Sequence, residues 1–276
     1  MATAKVATHG RNVMQWAIGG WTLFITENVV LSENRTWLID KLGDDGYHVA
    51  YGICSTAACA TIGYGYMYKL KPVAIYVPSP QAKIASFIFT SLGLGMLSQI
   101  PPKLQVPITY AGEFKLGNEN SANNNYPTLP KKEPPKWKVQ CPFDFTESKS
   151  RLVGDDVEIK GLDRISRHPG LWSFAFVGLG NACLASTLAL RAWWSMPTLV
   201  AAIGGWHTDS RFQRGMGGTP LPPQVKEQTS NLPFYALLTN DNTMDNLTKF
   251  FANECKPLNF GIAITLASII VFKRKP

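Results

Sequence analysis

Residues 161–190 read GLDRISRHPGLWSFAFVGLGNACLASTLAL, and this stretch decides the fold. A basic shoulder, Arg164 and Arg167, leads into His168 and Pro169, and no charged residue follows through Leu190. Proline suits the first position of a helix, because the N–H it lacks would have no partner there. The 20 uncharged residues 171–190, taken as one helix, are enough to reach across a hydrocarbon layer of roughly 30 Å. A histidine at the mouth of such a helix is a ligand, a catalytic group or the remnant of one.

Comparable apolar runs occur at 13–31, 47–68, 84–97, 193–206 and 258–272. Several carry few or no charges, which predicts an all-α, polytopic membrane bundle of about six transmembrane helices. The runs 84–97 and 193–206 are short enough to be buried or re-entrant segments instead. The expected organisation is three parts. Residues 1–100 hold the N-terminal membrane helices, 101–160 a polar extramembrane insert between the third and fourth spans, and 161–276 the C-terminal helices with a loop at 207–257. The insert contains GNENSANNN and PTLPKKEPPKW, a Pro/Asn/Lys-rich composition that cannot build a core of its own.

The net charge of +8 follows this topology and gives no signal for nucleic acid. With six spans, the side holding both termini comprises 1–11, 69–83, Arg191 and 273–276, with nine Lys/Arg and no acid. The opposite side balances 18 Lys/Arg against 18 acids, mostly in long loops that translocate largely regardless of charge. Both termini are therefore expected on the cytoplasmic-equivalent side, the matrix or stroma in an organelle. Five cysteines form no C-x-x-C pair, which argues against a zinc knuckle and for buried free thiols. The first span lacks a small-residue cleavage pattern and reads as an uncleaved anchor.

Alternating spans bring several polar residues towards one membrane face. His168 opens the fourth span, and His207, in GGWHTDSRFQRG, closes the fifth with Asp209 and Arg211 behind it. Glu27 lies near the exit of the first span, and Tyr47 and His48 open the second. An ionisable residue within a span is a functional candidate by default, since its burial costs a few kcal/mol. The plainer alternatives are that Glu27 reaches water or pairs with Arg35, that Arg167 and His168 pin a helix at the headgroups, and that Asp209 pairs with an arginine to shape its loop. No phosphate loop, nucleophile elbow or H-E-x-x-H zinc helix is present.

Three blocks carry a resemblance to a known family. ENVVLSENRTWLIDKLGDDGYHVAYG is similar to a first helix followed by an R-x-x-L-x-x-x-L-G segment, and GLDRISRHPGLWSFAFVGLGNA to an R-H-P helix. GGWHTDSRFQRGMG, followed by VKEQTSNLPFYALL, is similar to W-H-x-D-x-R and T-S-x-x-P-F endings. Together they resemble the NnrU-like family and its plant relative, zeta-carotene isomerase, over residues 20–70 and 160–240. The resemblance implies a polytopic helical membrane protein and, in the isomerase, a b-type haem held between helices by histidines for cis–trans isomerisation of a polyene.

Within the resemblance, His168 matches the motif histidine and His207 that of W-H-x-D. The haem histidine expected 13 positions after His168 falls on Asn181, and the first-helix histidine falls on Glu27, or on Thr26 if the register slips. An amide is a poor haem-iron ligand. His168, His207, His48 and Glu27 are thus expected to form a remnant haem pocket, with no catalytic set and no cofactor assigned to it. The expected role is a structural or accessory subunit of a large energy-transducing organelle complex, most simply a respiratory chain complex of the mitochondrial inner membrane. Its expected partners are other membrane subunits and bound phospholipids. A plastid membrane is the alternative setting. The alternative function is a haem b isomerase or haem-binding protein with ligands relocated to His168, His207 or His48. A third reading is a lipid or quinone site on Trp193, Trp194 and Trp206.

Overall fold

The computed structural model describes residues 2–70, 76–99, 159–216, 221–239 and 243–273, together with four short strands within 103–144. The first helix, α1, runs Ala2–Glu33, and α2 runs Arg35–Tyr64 before continuing as a wider π turn, Gly65–Lys69. Gly43, at φ 75°, interrupts α2 and sets its first turns at an angle to the rest. That backbone conformation is costly for any residue with a Cβ, so glycine is required at this break. Helix α3 spans Pro80–Gln99.

Two antiparallel strand pairs lie in the insert, an addition to the expected all-α fold. Strand β1 (Lys103–Leu104) pairs with β4 (Phe143–Asp144), and β2 (Ile108–Ala111) with β3 (Lys136–Val139), in the register Ile108 to Val139 and Ala111 to Lys136. The pairing is nested, with β2–β3 inside β1–β4, and the other residues of the insert lie outside those described. After it, a 3-10 turn at Gly161–Arg164 leads into α4 (Pro169–Leu184), which has Pro169 in its first turn as the sequence predicts.

The run 171–190, expected as one span, is two helices. Helix α4 ends at Leu184 and α5 (Leu188–Gln213) begins after a three-residue break. Thr187 causes the break, because its Oγ1 accepts the Leu190 N–H at 3.2 Å and caps α5. The Arg191 guanidinium donates to the freed Ala185 carbonyl at 3.1 Å and holds the corner from the other side. The short runs 84–97 and 193–206 prove to be the middles of longer helices, α3 and α5, of 20 and 26 residues. Short helices α6 (Pro223–Gln228), α7 (Tyr235–Thr239) and α8 (Thr243–Lys249) follow. Helix α8 continues as a π turn, Phe250–Glu254, and α9 (Pro257–Phe272) closes the described fold.

The long helices pack as a row in the order α2, α1, α5, α4, α3, α9. Position in the row decides burial. Helix α4, flanked on both sides, buries Trp172, Phe176 and Leu184, while α9, at one end, buries only Ala263, Ala267 and Val271. The main core joins Met96 of α3, Trp172, Ala175 and Phe176 of α4, and Ala201 of α5 to Leu162, Ile165 and Phe250. Helices approach closely through glycine: a methyl group at Gly180 would overlap Thr90 Oγ1 of α3, and one at Gly178 the Trp194 carbonyl of α5.

Among the described residues no single helix is both long and apolar enough to cross a membrane. One pair passes that test jointly, Leu247–Glu254 with Pro257–Phe272, and it is bent by 101°.

Candidate functional site

The Arg167-His168-Pro169 segment is built into a closed polar network joining α4, α5 and the loop 229–234. His168 occupies the cap position of α4 and is only 6% exposed. Its Nε2 lies 2.8 Å from Asp209 Oδ1 on α5. The other carboxylate oxygen, Oδ2, accepts from Arg167 Nη2 at 2.8 Å and Nε at 3.1 Å. The third guanidinium nitrogen, Nη1, donates to the Thr229 carbonyl at 2.9 Å. Burial alone would push the Asp209 carboxyl up, but the His168 hydrogen bond and the charges of His168 and Arg167 outweigh it and hold the group below the usual carboxylate range.

The backbone around this knot is fixed by the same loop. The Arg167 N–H donates to the Ser230 carbonyl at 2.9 Å, Ser166 Oγ to the Asn231 carbonyl at 2.7 Å, and the Phe234 N–H to the Ile165 carbonyl at 2.8 Å. Asn231 ties three elements together. Its side-chain oxygen accepts from Trp172 Nε1 at 3.1 Å, and its Nδ2 donates to the Ala202 carbonyl of α5 at 3.0 Å. Gly205 makes room for it, since a Cβ there would overlap the Asn231 amide. Neither Asn231 nor Thr229 stands out in the sequence. Their only signal is the position of T-S-N within a block similar to the family's ending.

His207 belongs to a different contact. Its Nε2 lies 2.6 Å from Ser32 Oγ of α1, and its Nδ1 is 3.9 Å from Glu33 Oε2. Glu33 in turn takes a fork from Arg214, at 2.6 and 2.9 Å, which holds its carboxyl below the usual range. His207 and Asp209 are two positions apart on α5, about 200° around the helix, so one meets α1 and the other meets α4. The two motif histidines therefore serve separate seams of the row.

Glu27 joins α1 to α2. Its Oε1 accepts from Ser55 Oγ at 2.8 Å and from Asn28 Nδ2 at 2.6 Å, and the Tyr51 hydroxyl donates to Asn28 Oδ1. Its Oε2 is buried without a hydrogen bond. Neither histidine and no arginine is among these partners, so the pairing with Arg35 considered from sequence is not made. His48 stands apart, with its side chain 54% exposed and Nε2 3.7 Å from Asp44 one turn earlier on α2. Asn181, at the place where the resemblance expects a second haem histidine, turns its amide back to the Val177 carbonyl at 2.9 Å.

These residues do not fit a b-type haem. An axial ligand needs a histidine nitrogen aimed at the iron and usually a second ligand across the ring. His168 and His207 each point Nε2 at a protein partner, on different seams, and the amide and carboxylate at the other two positions are bonded within or between neighbouring helices. Among the described residues, no three His, Cys, Asp or Glu side chains gather as a metal site either. No protein-family model matches the chain, and neither a curated protein nor a solved structure matches it.

The tryptophans named from sequence also separate. Trp193 and Trp194 pack with Trp21 and Tyr66 in an aromatic cluster at one end of α5, with ring centroids 4.6 to 5.7 Å apart. Trp206, at the far end, is 67% exposed.

Proposed function

We propose that the chain is a multi-pass helical membrane protein acting as a structural or accessory subunit of a larger membrane complex, on an NnrU-like scaffold without a haem. The observation that carries the membrane reading is the reversed surface of α9. Its small residues Ala263 and Ala267 are buried against the row, while Leu258, Ile262, Leu266, Ile269 and Phe272 face outward. In water each such side chain would forgo roughly 1.5–3 kcal/mol of burial. In hydrocarbon that arrangement is the expected one, since small residues let helices approach and large ones meet lipid.

Exposed Ile18, Leu23 and Val30 on α1, Ile84 and Ile88 on α3, and Leu199 and Ile203 on α5 extend the same apolar belt. Glu27 is the one charged residue between Val13 and Leu31 of α1, and its carboxylate is turned to Ser55 of α2 and not to that belt. The apolar centre of α5, residues 193–206, covers about 21 Å at 1.5 Å per residue. Trp206, 67% exposed at one end of this stretch, stands where an indole would meet headgroups.

The subunit role rests on the closed character of the R-H-P network. Arg167, His168 and Asp209 satisfy one another and brace three segments, which is the work of a brace and leaves no group poised for chemistry. The resemblance to organellar relatives favours the mitochondrial inner membrane and a respiratory chain complex, with both termini on the matrix side.

The test is gentle solubilisation of native membranes followed by native electrophoresis and identification of co-migrating chains. The chain is expected in a high-mass assembly, and recovery only as a free, monodisperse protein would sink the subunit role. An absorbance spectrum of the purified protein is expected to lack a Soret band at roughly 410–430 nm. Its presence would overturn the haem-free scaffold.

A further inference from the structure

Ser32, the penultimate residue of α1, differs from most helical hydroxyls of the chain in what it meets. Thr22, Thr61, Ser195 and Thr265 turn their hydroxyls back to carbonyls of their own helices. Ser32 Oγ stands 2.6 Å from His207 Nε2 across the seam with α5, while the carbonyl of Val29 in its own helix is 3.3 Å away. A hydroxyl has one proton to give, and the short contact is with the imidazole.

The other ring nitrogen sets the direction of that proton. His207 Nδ1 faces Glu33 Oε2 at 3.9 Å, a charge contact longer than a hydrogen bond. A carboxylate on that side favours the proton on Nδ1, which leaves the Nε2 lone pair to accept from Ser32. The Arg214 fork, at 2.6 and 2.9 Å, holds Glu33 in this place. Hydroxyl, imidazole and carboxylate thus stand in the order that activates a nucleophile. None of the three belongs to the R-H-P brace, whose carboxylate meets His168 on the other seam of α5.

The setting suits such a group. His207 is buried, whereas Glu33 is partly exposed and Val30, beside Ser32, is exposed, so the base is sheltered and the site opens at the end of α1. His207, Arg211 and Arg214 recur at i, i+4 and i+7 and line one face of α5. The amide groups that open α2, which begins at Arg35, carry no side-chain cap. These cations and amides are the donors available to negative charge on an attacked carbonyl oxygen.

We propose that Ser32 is an acyl-accepting nucleophile towards a carboxylic ester, with His207 as its general base and Glu33 orienting the imidazole. Ser32 Oγ forms a bond to the ester carbonyl carbon as its proton passes to His207 Nε2. Collapse of the tetrahedral adduct breaks the ester C–O bond, and His207 returns the proton to the departing alkoxide. Water, deprotonated in turn by His207, then releases the acid and restores the hydroxyl. This activity goes beyond the subunit reading and does not depend on it.

The test is reaction of the purified chain, in neutral-detergent micelles, with a fluorophosphonate probe, in which the same attack on phosphorus displaces fluoride. Peptide mass spectrometry should find the label on Ser32 in the folded chain and not after heat unfolding. His207→Gln keeps an amide able to bond Ser32 but has no base, and should slow labelling at least about a hundredfold. His48→Gln, at an exposed side chain on α2, should label at the parent rate. The parent should hydrolyse p-nitrophenyl butyrate, and Ser32→Ala should leave only the background rate. Ser32→Cys keeps the result readable if His207→Gln or Ser32→Ala folds poorly. Its new thiol should be alkylated by iodoacetamide faster than the exposed Cys54 of the same chain. Absence of label on Ser32 in the folded parent, or equal labelling in His207→Gln, overturns the proposal and leaves the contact as a tie between α1 and α5. Neither result alters co-migration on native electrophoresis, which tests the subunit role by itself.

Discussion

Helices α4 and α9 make a matched pair. Each has 16 residues, begins with proline and contains no charged residue. Yet α4 buries Trp172, Phe176 and Leu184, while α9 leaves Leu258 76% exposed and Ala267 fully covered. The difference lies in where the small residues fall. Gly178 and Gly180 of α4 let α5 and α3 close on it from two sides, whereas Ala263 and Ala267, four apart, give α9 a single stripe for α3. Apolar composition makes a helix leave water. The pattern of small residues decides whether it ends inside the bundle or on its rim.

The largest test of α4 is to cut the knot that anchors its start. Asp209→Ala leaves Arg167 and His168 buried without their shared carboxylate, and should destabilise by about 3–5 kcal/mol, read by denaturant or thermal unfolding in micelles. Asp209→Asn, which keeps the shape and one acceptor, should recover part of that loss. If Asp209→Ala unfolds like the parent, the network does not hold α4.

Acid should act on the same knot, with a smaller effect because a protonated Asp209 keeps its shape. The Asp209 carboxyl sits below its ordinary value in the fold, and so does that of Glu254, which takes a fork from Arg164 and the Gly161 N–H at 2.6 Å. A depressed folded value means stability that is present above the unfolded value, about 4 for Asp and Glu, and is lost as pH falls through the folded one. The unfolding midpoint should therefore drop as pH is lowered below about 4. Asp209→Ala should show a shallower drop than the parent.

Much of this was legible in the sequence, and the failures have physical causes. Pro169 and Pro257 mark helix starts because a missing N–H is harmless only there. The break inside 171–190 was hidden by apolar composition, although Ser186-Thr187 ahead of Leu188 carries a capping signal. His168 opens one apolar run and His207 closes the next, which predicts a shared rim. Helical spacing separates them, since Asp209, two residues past His207, is the partner that faces His168. His48 follows Gly43, whose left-handed backbone redirects the start of α2, and a sequence does not announce that angle. Beyond its place in T-S-N, nothing in the sequence points to the role of Asn231, because its partners Trp172 and Ala202 lie 59 and 29 residues away.

A glycine in each helix sharpens the comparison further. Gly180→Ala would drive a methyl group into Thr90 of α3 and should cost about 1–3 kcal/mol by overpacking. Gly261 of α9 has open space where its Cβ would stand. Gly261→Ala should therefore be neutral, or stabilising by up to about 1 kcal/mol from helix propensity alone. Equal effects at the two positions would mean that both helices are equally packed and would remove the basis of the comparison.

The smallest effect is expected on the outer face of α9, and it separates two coverings of that face. Leu266→Ala removes a side chain that touches little within the chain, so unfolding in micelles should change by no more than about 0.5 kcal/mol. If lipid covers the face, recovery of the variant in native membrane assemblies should equal that of the parent, because a shorter apolar side chain still meets hydrocarbon. If another subunit covers it, Leu266 is part of a packed interface, and the variant should be depleted from the assembly while folding as well as the parent. A loss of several kcal/mol in the isolated chain would contradict both, since it would show Leu266 to be a core residue and α9 to be as enclosed as α4.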